Sequence, residues 1–228
     1  MTVGPENFNS LIFQLFNSIS DKNKKSEAQT SLSWFLDLSS GFYVLLLQEL
    51  CVTYDLDLPF MRSALYFGVS DGLENSDTST KDLINKCSNV SNINYICAHC
   101  LVHLGDISRY RSQNKHAENF YRHSLKVAPA SGHAYNQLAL LEVTKGCHLT
   151  AVFYYVRALA LKCPFPAASS NLSRMYAKVM ASDSEDFISK FLKFEAFLHT
   201  AVHLKKAMAL CQDLCETLTD LVASEGTN

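Results

Sequence analysis

The chain has 228 residues, 48% of them hydrophobic and 18% charged, with a formal net charge of −2. That is enough apolar material to bury a core, and 8 Gly with 5 Pro are too few for a disordered or all-β chain. The near-neutral balance excludes a general affinity for nucleic acid or for an anionic membrane surface. Eight cysteines fall mostly within helical patterns rather than in a short loop-rich frame, which predicts reduced thiols in a cytoplasmic or nucleocytoplasmic protein. No signal-peptide pattern opens the chain, and no apolar run is expected to reach the roughly 18 residues of a membrane span.

In chain order, residues 8–20 place Phe8, Leu11, Ile12, Leu15, Phe16 and Ile19 at helical spacing. Residues 21–30 read as a polar connector carrying Lys22, Lys24 and Lys25. From Ser31 to Tyr54 a second helix is apolar on most of its circumference, through Leu32, Phe35, Leu36, Leu38, Phe42, Leu45, Leu46 and Leu50. A helix of that kind is covered on more than one side, by its own domain and by a partner. Gly41 stands in its middle, where Gly costs about 1 kcal/mol relative to Ala, and such a Gly marks close backbone approach. Residues 62–92 are rich in Ser, Asp and Asn and predict a long flexible loop.

Helical pattern resumes at Ile93, and the stretch Ala98 to Phe165 repeats itself after about 34 residues. Leu104-Gly105 recurs as Leu138-Ala139, Ala117 as Ala151, Tyr121 as Tyr155 and Ser124 as Ala158. This is the tetratricopeptide (TPR) pattern of paired helices, in which small residues let the two helices approach and an aromatic fills the gap. Further helices are predicted over 167–180, 185–200 and about 201–222, with Ser182-Asp183-Ser184-Glu185 as turn and N-cap. The fold class is all-α, an antiparallel helical solenoid with two TPR-like hairpins.

Candidate chemistry is sparse. Cys97, Cys100 and His103 stand at spacings zinc accepts, but no second ligand pair follows, and thiols in helix packing account for them as well. His199 and His203 lack the glutamate of H-E-x-x-H, and Cys211 and Cys215 read as ordinary helix residues. No phosphate loop or nucleophile elbow is present, so no enzyme, cofactor or metal is expected. The groove-facing positions of the first TPR helix are Val102, Asp106, Arg109 and Tyr110, and the second contributes Asn136. A guanidinium beside a phenol suits a phosphate oxyanion, and an Asn amide can hold both the N–H and the C=O of an extended peptide. Against this, Arg109 can simply pair with Asp106 three residues earlier.

Leu104-Gly105-Asp106-Ile107-Ser108-Arg109-Tyr110-Arg111 resembles the phosphate-binding segment of 14-3-3 proteins, and more closely that of the EST/SMG adaptors of nonsense-mediated mRNA decay. Tyr135-Asn136-Gln137-Leu138-Ala139, Pro164-Phe165-Pro166-Ala167-Ala168-Ser169, Ser40-Gly41-Phe42-Tyr43 and Tyr95-Ile96-Cys97 continue that resemblance, on the family's SMG-seven-like side. It implies a 14-3-3-like TPR domain over residues 1–180, including the loop 62–92, with 181–228 beginning a C-terminal helical-hairpin extension. It also implies a non-enzymatic adaptor that reads phosphoserine or phosphothreonine motifs on the RNA helicase of this decay pathway. Arg109 would bond the phosphate, Tyr110 support it and Asn136 hold peptide backbone. The family's second phosphate ligand is a Lys in a Phe-Lys pair, and here the matching pair is Phe13-Gln14. Arg111 and Arg157 are weaker candidates for the same service. The family's pairing surface maps to the helix around Gly41, with Phe42 and Leu45, and implies heterodimerisation with an SMG-five-like partner. The alternative is a structural heterodimerisation module whose phosphopeptide binding is weak or lost through Gln14. A telomerase-associated relative would be expected to carry a more basic surface than this chain has.

Overall fold

The computed structural model describes residues 25–56, 58 and 90–225. The expected helix 8–20, Gln14 within it, and the expected loop as far as residue 89 lie outside the described residues, as do Lys22 and Lys24. The chain divides into two compact units, 1–129 and 130–228. Their described residues form eight α-helices and no strand, apart from an isolated bridge between Ser131 and Cys163.

The first unit holds α1 (Lys25–Thr53), α2 (Val90–Tyr110) and α3 (Asn114–Val127). Helix α1 begins at Lys25, inside the stretch expected to be a connector. Composition misled here, because a polar segment continues a helix wherever one side finds packing. Ala28 is buried, and Glu27 lies in the first turn, where the helix dipole favours an acid. The inner side of α1 is the row Ala28, Leu32, Leu36, Leu47 and Cys51. Leu32 and Leu36 pack on Ile107 of α2, and Leu47 and Cys51 on Ile93, Cys97, Cys100 and Leu101. Glu27–Thr53 is long and apolar enough, by length and composition, to cross a bilayer. That corrects the expectation that no such run exists. Its apolar residues are divided between the face packed on α2 and an exposed face.

Helices α2 and α3 form the first hairpin, and its contact is set by one residue. A Cβ on Gly105 would sit 2.3 Å from Cε1 of Tyr121, so only Gly lets this ring lie flat on α2. Ser124 then donates from Oγ to the Ala98 carbonyl at 2.9 Å, tying the far end of α3 back to α2.

The second unit holds α4 (His133–Lys145), α5 (His148–Ala160), α6 (Ala167–Met180), α7 (Phe187–Thr200) and α8 (Leu204–Glu225). Helices α4 and α5 form the second hairpin, with Ala139 and Ala151 both at zero exposure in its contact. Gly146 ends α4 at φ 77°, the left-handed position that favours Gly at a helix C-terminus. Helix α6 has the bounds its periodicity predicted. The cap of α7 is Asp186 rather than Ser182–Glu185: its backbone is extended, and its carboxylate accepts from the Ser189 N–H at 3.0 Å. Helix α8 starts at Leu204, later than expected, because Ala201 and His203 take φ of 53° and 58° and break the helix between.

Candidate partner-binding and anion-binding sites

Opposite its inner row, α1 presents Trp34, Leu38, Phe42, Leu45 and Val52 to solvent. Steps of four, four, three and seven residues keep these on one side of an α-helix. Phe42 is 61% and Leu45 67% exposed. Gly41 lies on the same side, and a Cβ built there meets nothing within 4 Å. Among the described residues, the reading in which Gly41 serves packing within this chain finds no contact to support it. The surface is an apolar strip with Gly41 beside it, and the exposed Glu49 stands on the same face between Leu45 and Val52.

The second site stands at the end of α2. Asp106 is almost fully buried and accepts the Tyr121 hydroxyl at 2.8 Å. The same Oδ1 lies 3.5 Å from Nη2 of Arg109, the pairing that the i, i+3 spacing allowed. The Arg109 guanidinium sits 4.6 Å from the centroid of the Tyr110 ring, and its buried Nε has no hydrogen-bond partner. Burial works against the Arg109 charge, but Asp106, backed by Tyr121, outweighs it and raises the pKa above its already high ordinary value. Burial raises Tyr110, with Arg109 pulling the other way. At this site the structure joins Arg109 and Tyr110 in one cluster, with Asp106 and Tyr121 as supports.

The other expected site residues have partners of their own within the described residues. Arg111 is paired with Asp37 of α1. Arg157, in the second unit, is exposed and lies 5.8 Å from the Tyr135 ring centroid. Asn136, also in the second unit, is buried and its amide is engaged at both ends. Nδ2 donates to Gln137 at 3.2 Å, and Oδ1 accepts from Asn171 at 2.9 Å. Asn171 in turn accepts from Arg174 at 2.9 Å. Sequence reasoning missed Asn171 and Arg174, whose only sequence signal is an i, i+3 polar pair on α6.

The metal candidates are occupied by packing. Cys97 and Cys100 are in the core with Cys51, and His103 stacks on Tyr43 at 4.7 Å. His199 tilts on Tyr176 and His203 meets Phe197 edge-on, while Cys211 and Cys215 are exposed. Among the described residues, no three His, Cys, Asp or Glu side chains are grouped as metal ligands.

Comparison with known proteins matches residues 6–115 to the family described as "Telomerase activating protein Est1" and residues 117–224 to "Est1 DNA/RNA binding domain". Nonsense-mediated mRNA decay factor SMG7 of Danio rerio is 43% identical over 206 residues, 87% of this chain and 17% of that protein. Factor SMG5 of Danio rerio is 39% identical over 88 residues, 36% of this chain and 8% of its own. The chain thus spans about a sixth of the first of these relatives. Among solved structures, the C. elegans SMG5-SMG7 complex superposes with a TM-score of 0.64 at 20% identity, over 93% of this chain and 53% of the matched one. The fold is therefore the 14-3-3-like helical one that the resemblance implied. With two adjacent family matches running from residue 6 to residue 224 and an SMG7 relative aligned over 87% of this chain, this chain belongs to the EST/SMG family.

Proposed function

We propose that this chain is the 14-3-3-like domain of a nonsense-mediated mRNA decay adaptor, and that it pairs with an SMG5-like partner through the outer face of α1. The observation that carries this reading is the exposed strip Trp34, Leu38, Phe42, Leu45 and Val52 around an uncrowded Gly41. Contiguous exposed apolar surface on one helix face is characteristic of an interaction site. A glycine beside it lets a second helix come close. SMG5 and SMG7 are together in the solved complex whose fold this chain shares, which supplies the class of partner. Mixing this domain with the 14-3-3-like domain of an SMG5 protein and measuring mass by light scattering tests the pairing. A one-to-one complex is expected for the wild type and for Arg109→Glu, and none for Leu45→Glu. Separate monomers in the wild-type mixture would refute the proposal.

A second reading, phosphoserine recognition, is favoured by one feature, the buried Nε of Arg109 that no hydrogen bond uses. A buried donor without a partner is costly, and a phosphate or carboxylate oxygen would satisfy it. Within the described first unit, Arg111 is committed to Asp37, so Arg109 stands as the cation of this site. One cation gives modest selectivity. Anisotropy titration with a phosphoserine peptide and its unphosphorylated twin is expected to show a preference of around tenfold, about 1.4 kcal/mol, lost in Arg109→Glu. Equal binding of both peptides would remove this reading and leave the pairing module.

A further inference from the structure

We infer that Tyr121 and Asp106, both closed off from solvent, set the pose of the Arg109 guanidinium and act as the positioning residues of the anion site. The inference rests on the second reading above and goes beyond it. The chain of constraint begins at Gly105. Its missing Cβ is what admits the Tyr121 ring, whose Cε1, Cδ1 and Cζ would lie 2.3, 2.6 and 3.0 Å from that atom. With the ring so pinned and wholly buried, its hydroxyl donates to Asp106 Oδ1 at 2.8 Å. That bond fixes a carboxylate that is itself only 4% exposed.

Arg109 then meets the same oxygen at 3.5 Å, beyond ordinary hydrogen-bond length. The carboxylate therefore holds the guanidinium by charge, with the Tyr121 hydroxyl also against it, and leaves Nε without a hydrogen-bond partner. The Tyr110 ring bounds the other side at 4.6 Å. Bounded from two sides, the fork keeps a donor available for an incoming oxyanion. Without the Tyr121 hydroxyl, the freed Oδ1 would close on Arg109 in the bidentate geometry that guanidinium and carboxylate favour. The donors meant for a ligand would then be spent inside the protein. Tyr121 thus sets specificity from beneath the site.

Two substitutions separate positioning from plain electrostatics. Asp106→Asn keeps an acceptor for Tyr121 and removes a negative charge. If Asp106 were only a counter-charge, the variant would bind an anion more tightly, whereas a positioning Asp106 makes it bind less tightly. Tyr121→Phe keeps the ring on Gly105 and changes no charge. The experiment records the Arg109 Nε–H resonance of the free domain and titrates a phosphoserine peptide beside its unphosphorylated twin, for the wild type and both variants.

The expected result is an ordered, dispersed Arg109 resonance in the wild type that moves in Tyr121→Phe and merges with the mobile arginines in Asp106→Asn. Phosphate preference is expected to fall about tenfold in both, with helical content unchanged. The inference is overturned if Asp106→Asn raises the preference, or if the resonance is unmoved in both variants. A wild-type chain with no phosphate preference overturns the anion reading instead, and the resonance alone then decides whether the pose is set as described.

Discussion

Gly105 and Tyr121 are a pair that one repeat of the sequence makes visible, because the small residue and the aromatic return as Ala139 and Tyr155. The structure gives the contact its cost. Gly105→Ala forces a Cβ to 2.3 Å of a fully buried ring, so a loss of about 1–3 kcal/mol is expected on chemical denaturation. At the same scale His103, stacked on Tyr43, has its pKa pushed down to about 4 by burial, with His99 adding to the effect. Between about 6.5 and 4 the unfolded chain binds a proton that the folded chain refuses. This contribution to stability is fully present above about pH 6.5 and is lost as pH falls through that window, by at most about 1.4 kcal/mol per pH unit. His103→Phe, which keeps a ring for Tyr43, is expected to flatten that part of the denaturation–pH profile. A profile as steep as the wild type's would contradict the assignment. Asn136 and Arg111 show where single residues cannot be read from sequence. Asn136 was assigned by its repeat position and Arg111 as a weaker candidate from the resemblance, and each meets a side chain on another helix, Asn171 and Asp37, that no local pattern announces.

Elements were more legible than residues. The 34-residue period gave both hairpins, and the periodicity of α6 gave its bounds, because both signals are local and both helices bury one clear stripe. The start of α1 was not legible, since its first turns are polar, with Ala28 buried on the inner side among the described residues. The doubled apolar surface of α1 was legible, and it divided as the circumference argument required: Leu32, Leu36 and Leu47 inward, Leu38, Phe42 and Leu45 outward. The second hairpin closes on itself through backbone. Gly132 donates to the Cys163 carbonyl at 2.9 Å, and a Cβ there would meet the Ala158 carbonyl oxygen at 2.2 Å and the Phe165 nitrogen at 2.8 Å. Backbone cannot rotate away as a side chain can. Gly132→Ala is therefore expected to destabilise more than Gly105→Ala, at or above the upper end of the ~1–3 kcal/mol overpacking range. Thermal unfolding of the two variants side by side checks the order.

At the scale of the whole molecule, the two units carry different features. The first holds the outer face of α1 and the Arg109 cluster, and the second holds the Asn136–Asn171–Arg174 line of hydrogen bonds. Among the described residues Gly41 is exposed and a Cβ there would meet nothing within 4 Å, yet Gly costs the helix roughly 0.5–1 kcal/mol relative to Ala. Stability and pairing should therefore move in opposite directions at this position. Gly41→Ala is expected to raise the unfolding free energy by about that amount, and Gly41→Arg to leave the fold intact while blocking the approach of a second helix. The deciding measurement is calorimetric titration of the SMG5-like 14-3-3-like domain into the wild type and into Gly41→Arg. Affinity is expected to weaken by at least a hundredfold, about 2.7 kcal/mol, at an unchanged or higher melting temperature. Equal affinities for the two proteins would show that the outer face of α1 is not where the partner sits.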